Sequence, residues 1–161
     1  MNSKGDPRMS LRATINDALK NAMKTGDKRR VSTLRLMNAA IKDKDINSRT
    51  DGHDSALTPD SSLIDLFGKM VKQRQESVAI YEQGGRPELA AAEREEIAII
   101  HSYMPKQLSE EEAKAATAEA IKRVGAAGIK DMGKVMAELK AKYAGQMDMA
   151  KAGVTVKSLL A

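Results

Sequence analysis

The chain has 161 residues, 42% hydrophobic and only 2% aromatic, with no cysteine and a formal charge of +5. That length admits one domain or two small ones, and the missing cysteines exclude disulfides, thiolate nucleophiles and thiolate metal sites while fitting a reducing compartment, for which the cytoplasm is the expectation. No stretch approaches the ~18 apolar residues of a membrane span, and the opening MNSKGDPRMSLRA lacks an apolar signal region, so a soluble chain without a membrane partner is expected.

Residues 1–8 read as a disordered extension, with Met9 as an alternative start. Ser10 can cap a helix whose stripe Leu11, Ile15, Leu19 and Met23 recurs every four residues until Thr25, Gly26 and Asp27 end it. Val31, Leu34, Met37 and Ile41 form the next stripe, with Lys28, Arg29, Arg30, Arg35 and Lys42 mostly off it. NSRTDGHDSALTP, from Asn47, reads as a loop. Thr58 as cap and Pro59 as first helical residue open a third helix, in which Leu63, Phe67, Met70, Val71 or Arg74, Val78 and Tyr81 face inward up to Gly84 and Gly85. Pro87 starts a fourth, with Leu89, Ile97, Ile100 and Tyr103 inward, until Pro105 stops it.

A boundary is expected there, giving an N-terminal helical domain at 9–107 and a C-terminal one at 108–161. Ser109 followed by Glu112 is a capping box, and the acids around it suit the positive end of a helix. Three short patterns follow: about 110–124 ending at Gly125, about 131–143 ending near Gly145, and about 148–160 capped by Asp148. No segment alternates as a strand does, and four rings (Phe67, Tyr81, Tyr103, Tyr143) leave Ala, Leu, Ile, Val and ten Met to fill the interior. The fold class expected is all-α, four helices followed by three.

Gly128 to Val135, GIKDMGKV, has the glycine and lysine spacing of a phosphate-binding loop. Such a loop needs a strand before it and a Ser or Thr hydroxyl after the lysine to hold magnesium. Here the preceding stretch is alanine-rich and helical, and Val135 stands in the hydroxyl's place. Gly133 instead removes a side chain so that a neighbouring helix or an RNA backbone comes close. Lys130 and Lys134 lie one turn apart on the same side, and Lys140, Lys142 and Lys151 extend that surface. Charge is clustered: residues 12–49 hold ten Lys or Arg against four Asp, residues 130–157 hold six Lys against three acids, and residues 50–68 hold four Asp and no base. Either two solvated faces or contact with a polyanion accounts for this.

No catalytic constellation is legible. His53 and His101 are far apart, without carboxylates at metal-ligand spacing, so neither metal nor other cofactor is expected, and His101 reads as a partly buried helix residue. The acids at 93–96 and 109–112 read as a solvated face and a helix start. Four scattered rings cannot stack single-stranded RNA, so any RNA partner would be held through phosphates and shape.

Three stretches, MKTGDKRRVSTLRLMNAAIKDKDI (23–46), KQRQESVAIYEQGGRPELAAAEREEIAIIHSYMPKQLSEEE (72–112) and DMGKVMAELKAKYAGQMD (131–148), resemble the GatB/YqeY family. The most specific pieces are YMPKQLSEEE and DMGKVM with the following Gly145 and Asp148, and the likeness runs from Met9 onward. The resemblance implies an all-helical fold in two parts, like the tail of the B subunit of the glutamine-dependent amidotransferase that converts misacylated Glu-tRNA(Gln) or Asp-tRNA(Asn). In that enzyme the tail engages the outer corner of the tRNA while the chemistry lies elsewhere. The family label, carbon–nitrogen ligase activity with glutamine as amido-N-donor, is carried by parts this chain lacks, the catalytic cradle and the zinc motif. Two functions are therefore expected in competition. One is a tRNA-binding or amidotransferase-related accessory module contacting the tRNA elbow backbone through Lys130, Gly133, Lys134, Lys140, Lys142 and Lys151, with amidotransferase subunits as further partners. The other is a helical protein-interaction adaptor using the basic patch Lys28, Arg29, Arg30 and Arg35 on an acidic or helical partner.

Overall fold

The computed structural model describes residues 10–50 and 58–161. The expected extension at 1–8, the alternative start at Met9 and His53 lie outside the described residues. Seven α-helices and no strand are present among the described residues: α1 Leu11–Thr25, α2 Lys28–Thr50, α3 Asp60–Gln83, α4 Pro87–His101, α5 Glu110–Val124, α6 Met132–Tyr143 and α7 Met149–Leu160, with a 3-10 turn at Ile129–Asp131 before α6. The chain is thus all-α. Its contacts form two compact units, residues 1–104 and 105–161, each described by itself.

In the first unit, the Ser10 hydroxyl accepts from the Ala13 N–H to start α1, and Gly26 ends it in the left-handed conformation at φ 75°. The Asp27 carboxylate then accepts from the Arg30 N–H and opens α2 after a two-residue link. α2 outruns its apolar stripe and absorbs Asn47–Thr50, the first part of the expected loop. Pro59, not Thr58, takes the N-cap position of α3, and no side chain caps its first turn. Thr58 instead donates its backbone N–H to Asp45 at 3.1 Å, while Arg12 grips the same carboxylate with two hydrogen bonds of 2.7 Å each. This clasp ties α1, α2 and the entry to α3 together, and a bidentate Arg–carboxylate pair is the strong kind. Arg74 does similar work between α3 and α4, reaching Glu96 at 2.9 Å.

Ile15, Leu34, Met37, Leu63, Phe67 and Ile100 are completely or almost completely buried in one cluster. Each such side chain stabilises the fold by about 1.5–3 kcal/mol. Two expected core positions differ. Leu89 is exposed and its neighbour Ala90 is buried, because α4 packs closely on α3 and a small residue allows the approach. Met23, the last residue of the first stripe, is half exposed beside Arg35 of α2. α4 stops at His101, four residues before Pro105, through a turn whose Ser102 N–H bonds back to Ala98.

The second unit is a bundle in which α5, α6 and α7 each touch the other two. The capping box forms as expected, the Ser109 hydroxyl accepting from the Glu112 N–H and the Glu112 carboxylate accepting from the Ser109 N–H. Those bonds hold the Glu112 carboxyl below its usual pKa. Gly125 ends α5 at φ 65°, and Asp148 caps α7 by accepting from the Ala150 and Lys151 N–H groups. Val135, Leu139 and Val156 are fully buried at its centre, with Met132, Met136, Met147 and Met149 packed around them. Flexible methionines fill the gaps that larger rings would occupy in a more aromatic core.

Candidate nucleic-acid interface

Helix α6 divides by its period. Val135 and Leu139 are buried, with Met132, Met136 and Tyr143 half-buried beside them. Gly133, Ala137 and Ala141 follow one another at four-residue spacing and are all exposed, so they lie along the outer side. They make a smooth strip about 12 Å long. Lys134 and Lys140 are exposed to either side of it by the same helical geometry. A Cβ at Gly133 would meet no atom within 4 Å. Of the two reasons expected for this glycine, packing of a neighbouring helix is not found among the described residues, and the position is open.

Before α6, Gly128 is extended and the 3-10 turn carries Lys130 and Asp131. The Asp131 carboxylate accepts from the Ala127 N–H at 2.9 Å. That bond, with the nearby charges of Lys134 and Lys130, holds the Asp131 carboxyl below its usual pKa. The loop's resemblance to a phosphate cradle is thereby explained away: a helix precedes it, its own carboxylate occupies a backbone N–H, and Val135 is core. Lys130 and Lys134 do share one locality, around Asp131, and carry a counter-charge between them.

The remaining candidates are placed differently. Lys142 leans over the Tyr143 ring, 5.7 Å from its centre. Lys151 is exposed in the first turn of α7, a different helix. Among the described residues, none of Lys130, Lys134, Lys140, Lys142 and Lys151 makes an ion pair within 4.0 Å, whereas Glu138 of α6 is taken by Arg123 at 2.9 Å. In the other unit, Arg30 is not the free surface cation expected. It is half-buried, donates to the Tyr103 hydroxyl at 2.5 Å and lies 5.6 Å from that ring's centre. Arg29 pairs with Glu95 at 3.1 Å, so of that patch Lys28 and Arg35 remain exposed without a carboxylate partner among the described residues.

His101 is half-buried at the end of α4, where burial lowers its pKa. No group of three His, Cys, Asp or Glu suited to a metal ion occurs among the described residues. Nor is any helix long and apolar enough to cross a membrane among them. Asp131, Ala137 and Ala141 were not singled out from the sequence. The four-residue spacing from Gly133 was the available signal for the two alanines.

The chain matches the Yqey-like protein family over residues 12–160. Among curated proteins it is similar to "Altered inheritance of mitochondria protein 41, mitochondrial" from several yeasts. The Candida glabrata protein is 33% identical over 91 residues, covering 56% of this chain and 48% of that protein. The Eremothecium gossypii protein is 35% identical over 92 residues, covering 57% and 48%, and that of Saccharomyces cerevisiae strain YJM789 is 34% identical over 86, covering 53% and 44%. The chain spans about half the length of these relatives. Their names overturn the cytoplasmic placement read from composition. A cysteine-free, soluble-looking helical sequence describes an organelle's matrix as well as the cytosol, so it carried no address.

Proposed function

Since the chain belongs to the Yqey-like protein family, we propose that it is a tRNA-binding module whose C-terminal unit grips the sugar–phosphate backbone by shape and charge. The observation that carries this reading is the open strip at Gly133, flanked by exposed lysines that have no carboxylate partner among the described residues. A glycine with no neighbour inside the protein gains a reason if a backbone from outside comes close, and lysines act on phosphates as point charges without reading bases. The dipole of α6 adds positive potential at the same end. The module binds and positions; the ligase chemistry named for the family belongs to other components, which makes an accessory role beside an amidotransferase the natural setting. We further take the two units as separate domains meeting near residue 107.

Titration of the protein against labelled bulk tRNA by fluorescence anisotropy, at several salt concentrations and with heparin as competitor, tests the reading. Saturable binding is expected whose logarithm falls linearly with that of the salt concentration, with folded tRNA preferred over heparin. Replacing both Lys130 and Lys134 with Glu lowers affinity and flattens the salt slope by about one to two units. Absence of binding at low salt, or a double variant that binds like the parent, would exclude this surface.

A further inference from the structure

We infer that the α1–α2 hairpin carries a docking groove for an acidic amphipathic helix, separate from the lysine surface of α6. The groove, of about 610 Å³, is lined by Met23 from α1 and by Lys28, Val31, Ser32, Arg35 and Leu36 from α2. Met23 and Leu36 are 48% and 47% exposed, whereas Ile15, Leu34, Met37 and Ile41 of the same two helices are buried. Two large apolar side chains left half in water on one concave surface mark a place where another apolar surface fits.

Charge selects the occupant. No acid lines the groove; Asp27, beside it in the α1–α2 link, accepts from the Arg30 N–H, and Glu95 is held by Arg29. Lys28 and Arg35 stand exposed at its margin, and the Arg35 guanidinium rests 3.8 Å from the Met23 sulfur, so its charge sits directly beside the apolar floor. A partner that buries leucines on Met23, Val31 and Leu36 while setting carboxylates opposite Lys28 and Arg35 satisfies both features. RNA satisfies only the second.

Shape selects a helix. Gly26 and Asp27 join α1 and α2 by so short a link that the two run antiparallel. The furrow between two such helices accepts the side-chain ridge of a third. From Lys28 to Leu36 the groove follows α2 for about 12 Å, or two turns, which matches anchors at i, i+3 or i+4, and i+7 of a docked helix.

The probe is a fluorescein-labelled helical peptide of roughly 18 residues, with leucines on one stripe and glutamates flanking it, titrated against the full chain. Two controls carry lysines for the glutamates, or the same residues with the leucines scattered round the helix. The striped acidic peptide is expected to bind, both controls at least about tenfold more weakly, and Leu36→Glu and Arg35→Glu each to weaken it by at least about tenfold. Lys134→Glu leaves peptide binding unchanged. Both groove positions are exposed, so the variants retain the parent's circular dichroism spectrum and thermal midpoint. The inference is overturned if the striped peptide does not bind, if the controls bind equally well, or if both groove variants bind like the parent. It is also overturned if tRNA displaces the peptide from the groove, or if sedimentation shows a dimer that Leu36→Glu dissociates, which would assign the groove to a second copy.

Discussion

Gly133→Ala separates a structural glycine from one kept for a partner, because the two roles predict opposite signs. Gly133 is exposed in the first turn of α6, its φ is not in the left-handed region, and a Cβ there meets nothing within 4 Å. Alanine is favoured over glycine in a helix by about 0.5–1 kcal/mol, mainly by narrowing the unfolded ensemble. The first turn contributes less than the interior, so the expected gain is about 0.5 kcal/mol. For a domain of this size, 1 kcal/mol moves the midpoint by about 4–8 °C, so thermal circular dichroism should show a rise of about 2–4 °C. The same methyl stands where a sugar–phosphate backbone would approach. If it removes one charge-assisted hydrogen bond, worth about 1.5–3 kcal/mol, tRNA affinity falls by about tenfold or more, and Gly133→Leu lowers it further. A more stable protein that binds RNA less well is the expected pair of results. A lower midpoint would refute the claim that the position is open, and a higher midpoint with unchanged affinity would refute its use by RNA.

Asp131→Asn keeps an oxygen able to accept from the Ala127 N–H but removes the charge between Lys130 and Lys134, so tRNA binding should tighten by about two- to fivefold; weaker binding would mean the lysines are not the contact. Hydrogen bonds from Arg12 lower the Asp45 carboxyl from 3.8 to about 2. Its folded pKa is depressed, so its contribution is fully present above pH 3.8 and is lost as pH falls through about 2. Asp45→Asn should therefore cost about 1 kcal/mol at neutral pH after allowance for solvent screening, with the difference from the parent vanishing near pH 2 in urea titrations. Leu139→Ala, at a fully buried position, should cost about 2–5 kcal/mol, enough to unfold so small a bundle; amide NMR signals from residues 105–161 collapse while those from 10–50 and 58–104 persist if the two units are separate domains.

Helix ends were legible because their signals are local. Ser10, Gly26, the Ser109–Glu112 box, Gly125 and Asp148 all act on backbone within about one turn, and all occupy their expected positions. What the chain does across long separations was not legible. Arg30 reads as one of four clustered cations, yet its partner Tyr103 lies 73 residues away. Arg12 and Asp45, 33 apart, give no sequence sign of their clasp. Leu89 outranks Ala90 in hydropathy, but closeness of α3 and α4 favours the smaller side chain at the contact. For the candidate site, the lysines were visible as composition. The emptiness around Gly133 was not, because no local pattern tells a glycine that admits a neighbouring helix from one that faces water.

The division of labour between the two basic residue types extends the argument to specificity. Arg12, Arg29, Arg74, Arg94 and Arg123 all make ion pairs within 4.0 Å. The planar guanidinium suits a carboxylate, bidentately for Arg12 on Asp45, so these arginines are engaged by the chain's own acids. Left outward on the second unit are lysines at 130, 134, 140, 142 and 151. A lysine is a flexible, hydrated point charge, suited to phosphates and poorly suited to the bidentate reading of a base edge. Under the proposed function, a surface so built would recognise the path of a backbone and not its sequence. Purified tRNAs of different sequence but common shape should therefore bind within about threefold of one another, because each specific base contact would add about 1–3 kcal/mol and separate them by more. Strong preference for one tRNA under conditions where the salt slope is unchanged would show that a base-reading group, and not this lysine surface, governs recognition.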